Sequence, residues 1–217
     1  MTPSTDIISK IKQAGLTGRG GAGFPTAKKW QAVLDAPNSP KYVVCNVSEG
    51  EPGVHKDEYI LSHHLSEAME GVRLAIQTIG ALKAIMYLRK DLFRAYGPEL
   101  KREISHDPIE LFEERGGYLS GEETTLLSVL EGKSIEPQIR PPFPTTHGYL
   151  GKPTLINNLE TFLDVARIAD GTFTHTRFYS ISGDVPKKGV YEFPEDTTIK
   201  YILDASGNLP AKDFLFR

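Results

Sequence analysis

The chain has 217 residues, a formal net charge of -3, and a composition with 39% hydrophobic and 24% charged residues. These values are ordinary for a globular protein with one sizeable core and room for a small appended module, and the charge gives no support for nucleic-acid binding. The sequence lacks both the run of ~20 apolar residues that crosses a bilayer and a signal-peptide pattern, so we expect no membrane insertion and a cytoplasmic location.

Helical and strand patterns alternate along most of the chain, which is typical of an α/β fold. Apolar residues at helical spacing predict helices over residues 6–14, from 26 onward, and over 59–79, 93–104, 122–130 and 157–169. Short apolar runs predict buried strands over 42–46, 84–88 and 109–113. The proline-rich segment 140–144 is expected to be extended, because prolines cannot continue a helix.

The pattern of the sequence changes from Phe178 onward. Two strand-like runs, 178–181 and 190–193, are separated by glycines and a proline, and a short helical segment follows over 197–205. This pattern predicts the start of a small β-grasp (SLBB-like) module that stops early, as it would if the sequence ended within the module near Arg217. We therefore expect an α/β domain over 1–172 and a partial module over 173–217.

A glycine-rich loop is the most informative local feature. Residues 15–30 read GLTGRGGAGFPTAKKW. Glycines let the backbone approach a ligand closely, while arginine and lysine carry positive charge and Phe24 offers a flat face. The loop is therefore predicted to bind a ligand that is both phosphorylated and aromatic. A flexible glycine-rich turn without a ligand is the alternative interpretation.

The same loop has the G-x-G-x-x-G spacing at Gly18, Gly20 and Gly23. An ordinary Rossmann fingerprint needs a strand before the loop and a helix directly after it. Here a helical pattern precedes the loop, Pro25 delays the next helix, and no P-loop Gly-Lys-Ser/Thr follows. The spacing alone therefore does not identify a dinucleotide site.

Two polar segments have binding chemistry, one directly after the first predicted strand and one at the start of a predicted helix. Residues 46–53 read NVSEGEPG, and Glu49 and Glu51 could accept hydrogen bonds from ribose hydroxyls or a carboxamide. Residues 118–124 place Gly121 and two acids at a helix start, where exposed N–H groups could hold a phosphate or a flavin edge. The alternatives are a solvated acidic turn for the first segment and favourable helix-dipole partners for the second.

Asparagines, histidines and the single cysteine carry the remaining chemistry. Asn157 and Asn158 either cap a helix or orient a ligand. His63 and His64 are adjacent, but the sequence has neither H-E-x-x-H nor a Cys/His set, so we interpret them as exposed helix residues and expect no metal. Because Cys45 is the only cysteine, no disulfide and no four-thiolate iron–sulfur cluster is expected within this chain. Redox chemistry would therefore depend on an organic cofactor.

Taken together and in this order, the glycine loop, the 46–53 turn, the Gly-Glu-Glu start, the 140–144 run and the segment 151–158 resemble one family. It is the FMN-carrying, NADH-oxidising flavoprotein subunit of respiratory complex I (the 51 kDa subunit family), also found in NAD-linked hydrogenases and formate dehydrogenases. The resemblance spans about residues 15–205. It implies a Rossmann-like FMN-binding domain and hydride transfer from NADH to the flavin N5 with the two rings stacked.

The resemblance also implies the site residues. Cofactor contacts are expected from Gly18, Arg19, Gly20, Gly21, Gly23, Lys29, Asn46, Ser48, Tyr118, Gly121, Glu122, Glu123, Asn157 and Asn158. The NADH pocket is expected to be lined by Phe24, Glu49, Glu51, Arg140 and Phe143, together with Glu122 and Glu123. Glu49 is the candidate catalytic residue.

The sequence departs from the family pattern at several positions. The turn usually reads CNADESEPG, whereas Ser48 stands in place of the aspartate; Ala32 replaces an aromatic, and Ser120 replaces a cysteine. The cysteine-rich C-terminal domain that holds a [4Fe–4S] cluster in the family is not in this sequence. The sequence is therefore a fragment, or an iron–sulfur partner subunit supplies the clusters, or the protein is a stand-alone diaphorase with soluble acceptors.

The predicted function is an FMN-dependent NADH dehydrogenase module that passes electrons to a partner or acceptor. The alternative from another class is a non-catalytic flavin-binding or scaffold module that docks a redox complex. The departures at Ser48 and Ala32 favour that alternative, and the intact glycine loop opposes it. A flavoprotein similar to the subunit of membrane-associated ferredoxin–NAD oxidoreductase is a further alternative.

Overall fold

The structure is a computed structural model that describes residues 3–37 and 39–210. Its helices are α1 (Pro3–Gln13), α2 (Thr26–Asp35), α3 (Lys56–His63), α4 (Leu65–Ile79), α5 (Lys90–Glu103), α6 (Glu123–Leu130), α7 (Pro144–His147), α8 (Leu159–Asp170) and α9 (Ile199–Ala205). Its strands are β1 (Lys41–Val47), β2 (Ala81–Leu88), β3 (Ile109–Glu113), β4 (Thr154–Asn158), β5 (Thr176–Ile181) and β6 (Gly189–Pro194). Short 3-10 helices occupy Tyr118–Gly121 and Tyr149–Gly151.

Strands β1 to β4 form a parallel sheet in the order β3-β2-β1-β4. The chain passes from β1 to β2 and β3 on one side, and β4 then pairs with β1 on the other side, so the winding reverses between β1 and β4. The register places Asn46 opposite Asn158 at the carboxyl ends of these two strands. Ligands of open α/β sheets bind outside the carboxyl ends of the strands at such a reversal.

The two faces of the sheet are covered unequally. Val43, Cys45 and Val47 alternate into the larger core, which is completed by α1, α2, α4, α5 and α8. Val44 points to the opposite face, where α6 covers a smaller core. Both faces of the central strand are therefore buried, which explains its nearly continuous apolar sequence.

Close packing of α4 on α8 depends on Gly71. A Cβ atom at this position would lie 1.8 Å from the carbonyl oxygen of Phe162. Phe162 is fully buried in the same core. Only glycine allows the two helix backbones to approach this closely.

After α8, strands β5 and β6 pair as an antiparallel hairpin, followed by α9. The hairpin and helix predicted for the second module are thus present. Residues 211–217, which include the expected boundary at Arg217, lie outside the described residues. The predicted fold class, a Rossmann-like α/β domain followed by a small β module, is confirmed.

Three predicted elements need correction. The predicted helix over 59–79 is two helices, because His64 has a non-helical conformation (φ -133°, ψ 26°) that ends α3 before α4 begins. The predicted helix over 157–169 begins only at Leu159, because Asn157 and Asn158 end strand β4, where they hydrogen-bond beside β1. The segment 140–144 is not extended throughout, since Pro144 occupies the first turn of α7, where a missing N–H costs nothing.

Within the described residues, no helix combines the length and apolar character that a membrane-spanning segment requires. The same residues contain no group of three or more His, Cys, Asp or Glu side chains arranged to hold a metal ion. His63 is exposed near the end of α3, whereas His64, in the break before α4, is half-buried.

Candidate functional site

A cavity of about 580 Å³ lies at the carboxyl ends of β1 and β4. This volume falls in the range of ~300–1,000 Å³ that is common for small-molecule sites. Its walls come from the glycine loop, the start of α2, the ends of β1 and β4, the start of α6 and the segment that leads into α7. The cavity therefore occupies the place that the reversal of winding favours for a ligand.

Most of the predicted site residues meet in this cavity. Those that line it are Gly18, Gly20, Gly23, Phe24, Lys29, Asn46, Gly121, Glu122, Glu123, Arg140, Phe143, Asn157 and Asn158. Those that the structure places outside the lining are Arg19, Gly21, Ser48, Glu49, Glu51 and Tyr118.

The glycine loop is closed at its base by backbone hydrogen bonds. The N–H of Gly18 donates to the carbonyl of Phe24 at 2.9 Å, and the N–H of Thr26 donates to that of Leu16 at 3.0 Å. Gly23 has φ 61°, and a Cβ there would meet nothing within 4 Å. The loop thus combines a fixed base with an open, side-chain-free inner surface.

Asparagines from the two central strands form the floor. Asn46 donates from Nδ2 to the carbonyl of Gly121 at 2.8 Å, which ties β1 to the turn before α6. Asn158 caps α8 by accepting from the N–H of Glu160, and its Nδ2 donates to the Asn46 carbonyl at 3.3 Å. The capping interpretation of Asn158 is thus correct, and the same side chain also lines the cavity.

Charged side chains of both signs form one wall. Lys29 donates to Glu123 at 2.5 Å and to the carbonyl of Ile156 at 3.0 Å. Arg140 pairs with Glu122 and lies 3.8 Å from Glu123. These contacts bring the segment before α7, the start of α6 and α2 together around the cavity.

Glu122 is the N-cap of α6. Its Oε2 accepts from the N–H groups of Thr124 and Thr125, both at 2.9 Å. Burial would raise the pKa of Glu122, but the hydrogen bonds from Thr124 and Thr125 and the charge of Arg140 outweigh it, so the pKa is lowered. The helix-partner interpretation therefore applies to Glu122, whose other carboxylate oxygen faces Arg140.

Arg19 points away from the cavity into the protein. Its Nε donates to Asp164 at 2.7 Å and its Nη2 to Glu195 at 2.6 Å. Burial opposes the charge of Arg19, but the hydrogen bonds and charges of Glu195 and Asp164 outweigh it and raise the pKa of Arg19. Arg19 thus anchors the glycine loop to α8 and to the end of the β5–β6 hairpin.

Glu49 belongs to a buried charge cluster beneath the floor. Its Oε2 accepts from the N–H of Asp57 at 3.1 Å, its Oε1 lies 3.8 Å from Lys56 Nζ, and this Oε1 lacks a hydrogen-bond partner among the described residues. Burial and the charge of Asp57 raise the pKa of Glu49 to about 7, although Lys56 opposes the shift. Glu51, in the same turn, is exposed.

Lys56 connects this cluster to the floor. Its Nζ donates to Asp57 at 2.6 Å and to Asn158 Oδ1 at 3.0 Å, and lies 3.6 Å from Glu160. Burial lowers the pKa of Lys56, but the carboxylates of Asp57, Glu160 and Glu49 raise it by more. The ammonium group and Asp57 together fix which way the Asn158 amide faces.

Sequence reasoning missed part of the lining. The cavity is also lined by Ala22, Lys28, Pro144, Thr145, Thr154, Ile156 and Thr161. Ala32, which stands where the family has an aromatic, lies in the same lining. Thr154 and Ile156 were missed because β4 was not predicted. The segment Thr154–Asn158 shows no alternation of polar and apolar residues that would have revealed this strand, because both of its faces are buried.

Comparison with known proteins identifies relatives. The family model described as the Nuo51 FMN-binding domain matches residues 11–167. The NAD-reducing hydrogenase HoxS subunit alpha of Cupriavidus necator is 36% identical, over 95% of this chain and 39% of that protein. A subunit of the NADH-quinone oxidoreductase of Aquifex aeolicus is 35% identical, over 94% of this chain and 54% of that protein.

A solved structure agrees with this match. The crystal structure of an NAD+-reducing [NiFe]-hydrogenase in the H2-reduced state has a chain with a TM-score of 0.88 at 36% identity, covering 95% of this chain and 39% of that one. This chain spans about two fifths to just over half of the length of the relatives named here. With most of its length matched by the family model, the chain belongs to the family of the Nuo51 FMN-binding domain.

Proposed function

We propose that this chain is an FMN-dependent NADH dehydrogenase module that takes a hydride from NADH to FMN and passes the electrons to a partner or acceptor. The observation that carries the proposal is the cavity at the reversal between β1 and β4, walled by the glycine loop and by Asn46, Asn157 and Asn158. Family membership supports FMN as the cofactor, and the names of the relatives support NADH as the substrate.

The residues present fit FMN. Gly20 and Gly23 bring backbone without side chains to the cavity, so that a phosphate can approach closely, and Lys28 and Lys29 supply positive charge beside them. Of the floor amides, Asn46 and Asn158 are already hydrogen-bonded within the protein and shape the floor. Asn157, whose Oδ1 accepts from the Trp30 indole N–H, is the amide that we expect to donate to a flavin ring. Bound FMN would supply the hydride acceptor that no amino-acid side chain provides.

The outer part of the cavity fits NADH. Phe24 and Phe143 both line the cavity while remaining about half exposed, at 50% and 54%, so their rings are available to stack on a planar group. Arg140 offers a cation on the same side. Glu51 remains our candidate for hydrogen bonding to NADH, whereas Glu49 acts from beneath the floor through Lys56 and Asp57, as a positioning residue.

The division into an α/β domain over 1–172 and a partial module over 173–217 is also part of this proposal, as is the cytoplasmic location. The ion pair of the buried Arg19 with the partly exposed Glu195 and the hydrogen bond from the Phe178 N–H to Glu160 at 3.1 Å attach the second module to the cavity-bearing domain. Electrons would leave for an iron–sulfur partner or for the iron–sulfur domain of a longer protein, because four thiolates are not available in this sequence.

The experiment is a titration of the purified chain with FMN, followed by anaerobic addition of NADH. We expect quenching of flavin fluorescence on binding and then bleaching of the visible flavin absorbance. Lys29→Met should weaken FMN binding by about tenfold, the effect of losing one charged hydrogen bond. The matched control Lys83→Met removes an ammonium that pairs with Glu110 outside the cavity, and should bind FMN as the unmodified chain does.

The outcomes separate the candidate functions. Bound flavin that NADH does not bleach would contradict the NADH dehydrogenase and favour the non-catalytic flavin-binding module, in keeping with Ala32 at the cavity wall. If the chain binds no flavin, the NADH dehydrogenase and the flavin-binding module are both contradicted, and a scaffold that docks a redox complex is the remaining candidate. Bleaching at the same rate in Glu51→Gln would remove Glu51 from the NADH pocket.

A further inference from the structure

Ser48 and Glu114 form a contact that the proposed function does not use. The Ser48 hydroxyl donates to Glu114 Oε2, and the N–H of Gly117 donates to Glu114 Oε1 at 2.7 Å. Glu114 is only 6% exposed. One carboxylate therefore joins the turn after β1 to the turn that precedes the 3-10 helix Tyr118–Gly121.

This carboxylate is costly to bury. The described residues give Glu114 hydrogen-bond donors but no Lys, Arg or His at ion-pairing distance. A buried carboxylate without a cation is retained only where its hydrogen bonds compensate for the lost hydration. The hydrogen bonds of Glu114 hold two turns that lie next to the cavity wall.

The two turns that Glu114 joins also carry part of the cavity lining. Asn46 Oδ1 accepts from the N–H of Ser48 at 3.1 Å, while Asn46 Nδ2 donates to the Gly121 carbonyl. A Cβ on Gly121 would come within 2.8 Å of the Ser48 carbonyl oxygen, so the turns are in direct contact. A shift of Ser48 would therefore move both Asn46 and Gly121, which line the cavity.

We propose that Glu114 is a positioning residue that locks the Asn46 and Gly121 walls of the cavity together through Ser48 and Gly117. In this role, one of the two residues 48 and 114 carries a carboxylate, and the other donates a hydrogen bond to it, as the Ser48 hydroxyl does to Glu114. The inference rests on the proposed function where it concerns FMN binding. That Glu114 holds the two turns together can be tested without FMN.

The test compares FMN affinity in four variants by flavin fluorescence. Glu114→Ala should weaken binding by about tenfold, because it removes a charged acceptor and leaves the Gly117 N–H unpaired. The control Glu113→Ala removes the neighbouring carboxylate and should bind as the unmodified chain does. Ser48→Asp should also bind weakly, because it places two carboxylates against each other.

The decisive variant is Ser48→Asp combined with Glu114→Gln. The new carboxylate then accepts from the glutamine amide, whose oxygen still accepts from Gly117, so FMN binding should return to near the unmodified level. Equal midpoints of urea unfolding in Ser48→Asp and in the double variant distinguish this recovery from a general gain in stability. If the double variant binds no better than Ser48→Asp, or if Glu114→Ala matches Glu113→Ala, the proposal is overturned.

A second measurement needs no flavin. Tyr118 and Leu119 are 67% and 46% exposed, so chymotrypsin can report how firmly their turn is held. Cleavage there should be faster in Ser48→Asp than in the double variant, at equal midpoints of urea unfolding. If the unmodified chain binds no FMN, the proposed function fails, and the cleavage rates still decide whether Glu114 holds the turn: equal rates refute it.

Discussion

The buried carboxyl of Glu49 makes a quantitative prediction about stability and pH. Its pKa is raised from an ordinary value of 4.5 to about 7, first by burial and then by the charge of Asp57. Between these two values the folded chain binds a proton that the unfolded chain releases. The contribution of Glu49 to the free energy of unfolding therefore falls as the pH rises from about 4.5 to about 7.

The size of this effect follows from the shift. At about 1.4 kcal/mol for each pKa unit, the rise corresponds to about 3 kcal/mol. Glu49→Gln keeps an oxygen to accept from the Asp57 N–H and does not titrate. The free energy of unfolding of Glu49→Gln relative to the unmodified chain should therefore increase by about 3 kcal/mol between pH 4 and pH 8.

The assay is urea unfolding at intervals across this pH range. Other buried acids, such as Glu160, are present in both chains and cancel in the difference. Glu51→Gln removes an exposed carboxylate from the same turn and should run parallel to the unmodified chain. A difference for Glu49→Gln that stays constant within ~0.5 kcal/mol, the usual error of such comparisons, would refute the reasoning.

Two further predictions concern packing and ion pairing. Arg19→Met should lower the free energy of unfolding by about 3–5 kcal/mol, because it leaves Asp164 buried without its cation; Glu195→Gln should cost under ~1 kcal/mol, because Glu195 is partly exposed. Equal losses in urea unfolding would mean that burial does not decide the cost. Gly71→Ala should cost at least ~2 kcal/mol, because its Cβ would meet the Phe162 carbonyl oxygen and force α4 away from α8. A melting temperature equal to that of the unmodified chain would contradict this packing.

The sequence predicted the alternating α/β architecture because buried strands and amphipathic helices carry distinct periodicities. It failed at β4, whose five residues continue directly into α8 without an intervening turn residue. Local spacing there fits one helix as well as a strand followed by a helix. Pairing with β1, a long-range contact, decides the outcome.

For the site, motif order was more informative than residue chemistry. The glycines and asparagines that line the cavity were all in the predicted set, because their segments were recognised as units. Arg19 shows where this reasoning ends: an arginine in a glycine loop has the chemistry of a phosphate ligand, yet its side chain turns to Asp164, 145 residues away. No local pattern encodes a partner at that distance.

The floor of the cavity has a consequence for how the protein is made. Asn158 meets the Asn46 carbonyl across 112 residues of chain, and β4 is the last strand to join the parallel sheet in chain order. This long-range pairing of β4 with β1 cannot form before residues 154–158 are available. During synthesis a nascent chain would be unable to capture its cofactor until β4 has emerged and docked. The rate at which refolding chains bind flavin would then report the rate at which β4 docks. A variant in which β4 docks more slowly would bind flavin with unchanged affinity but after a longer delay.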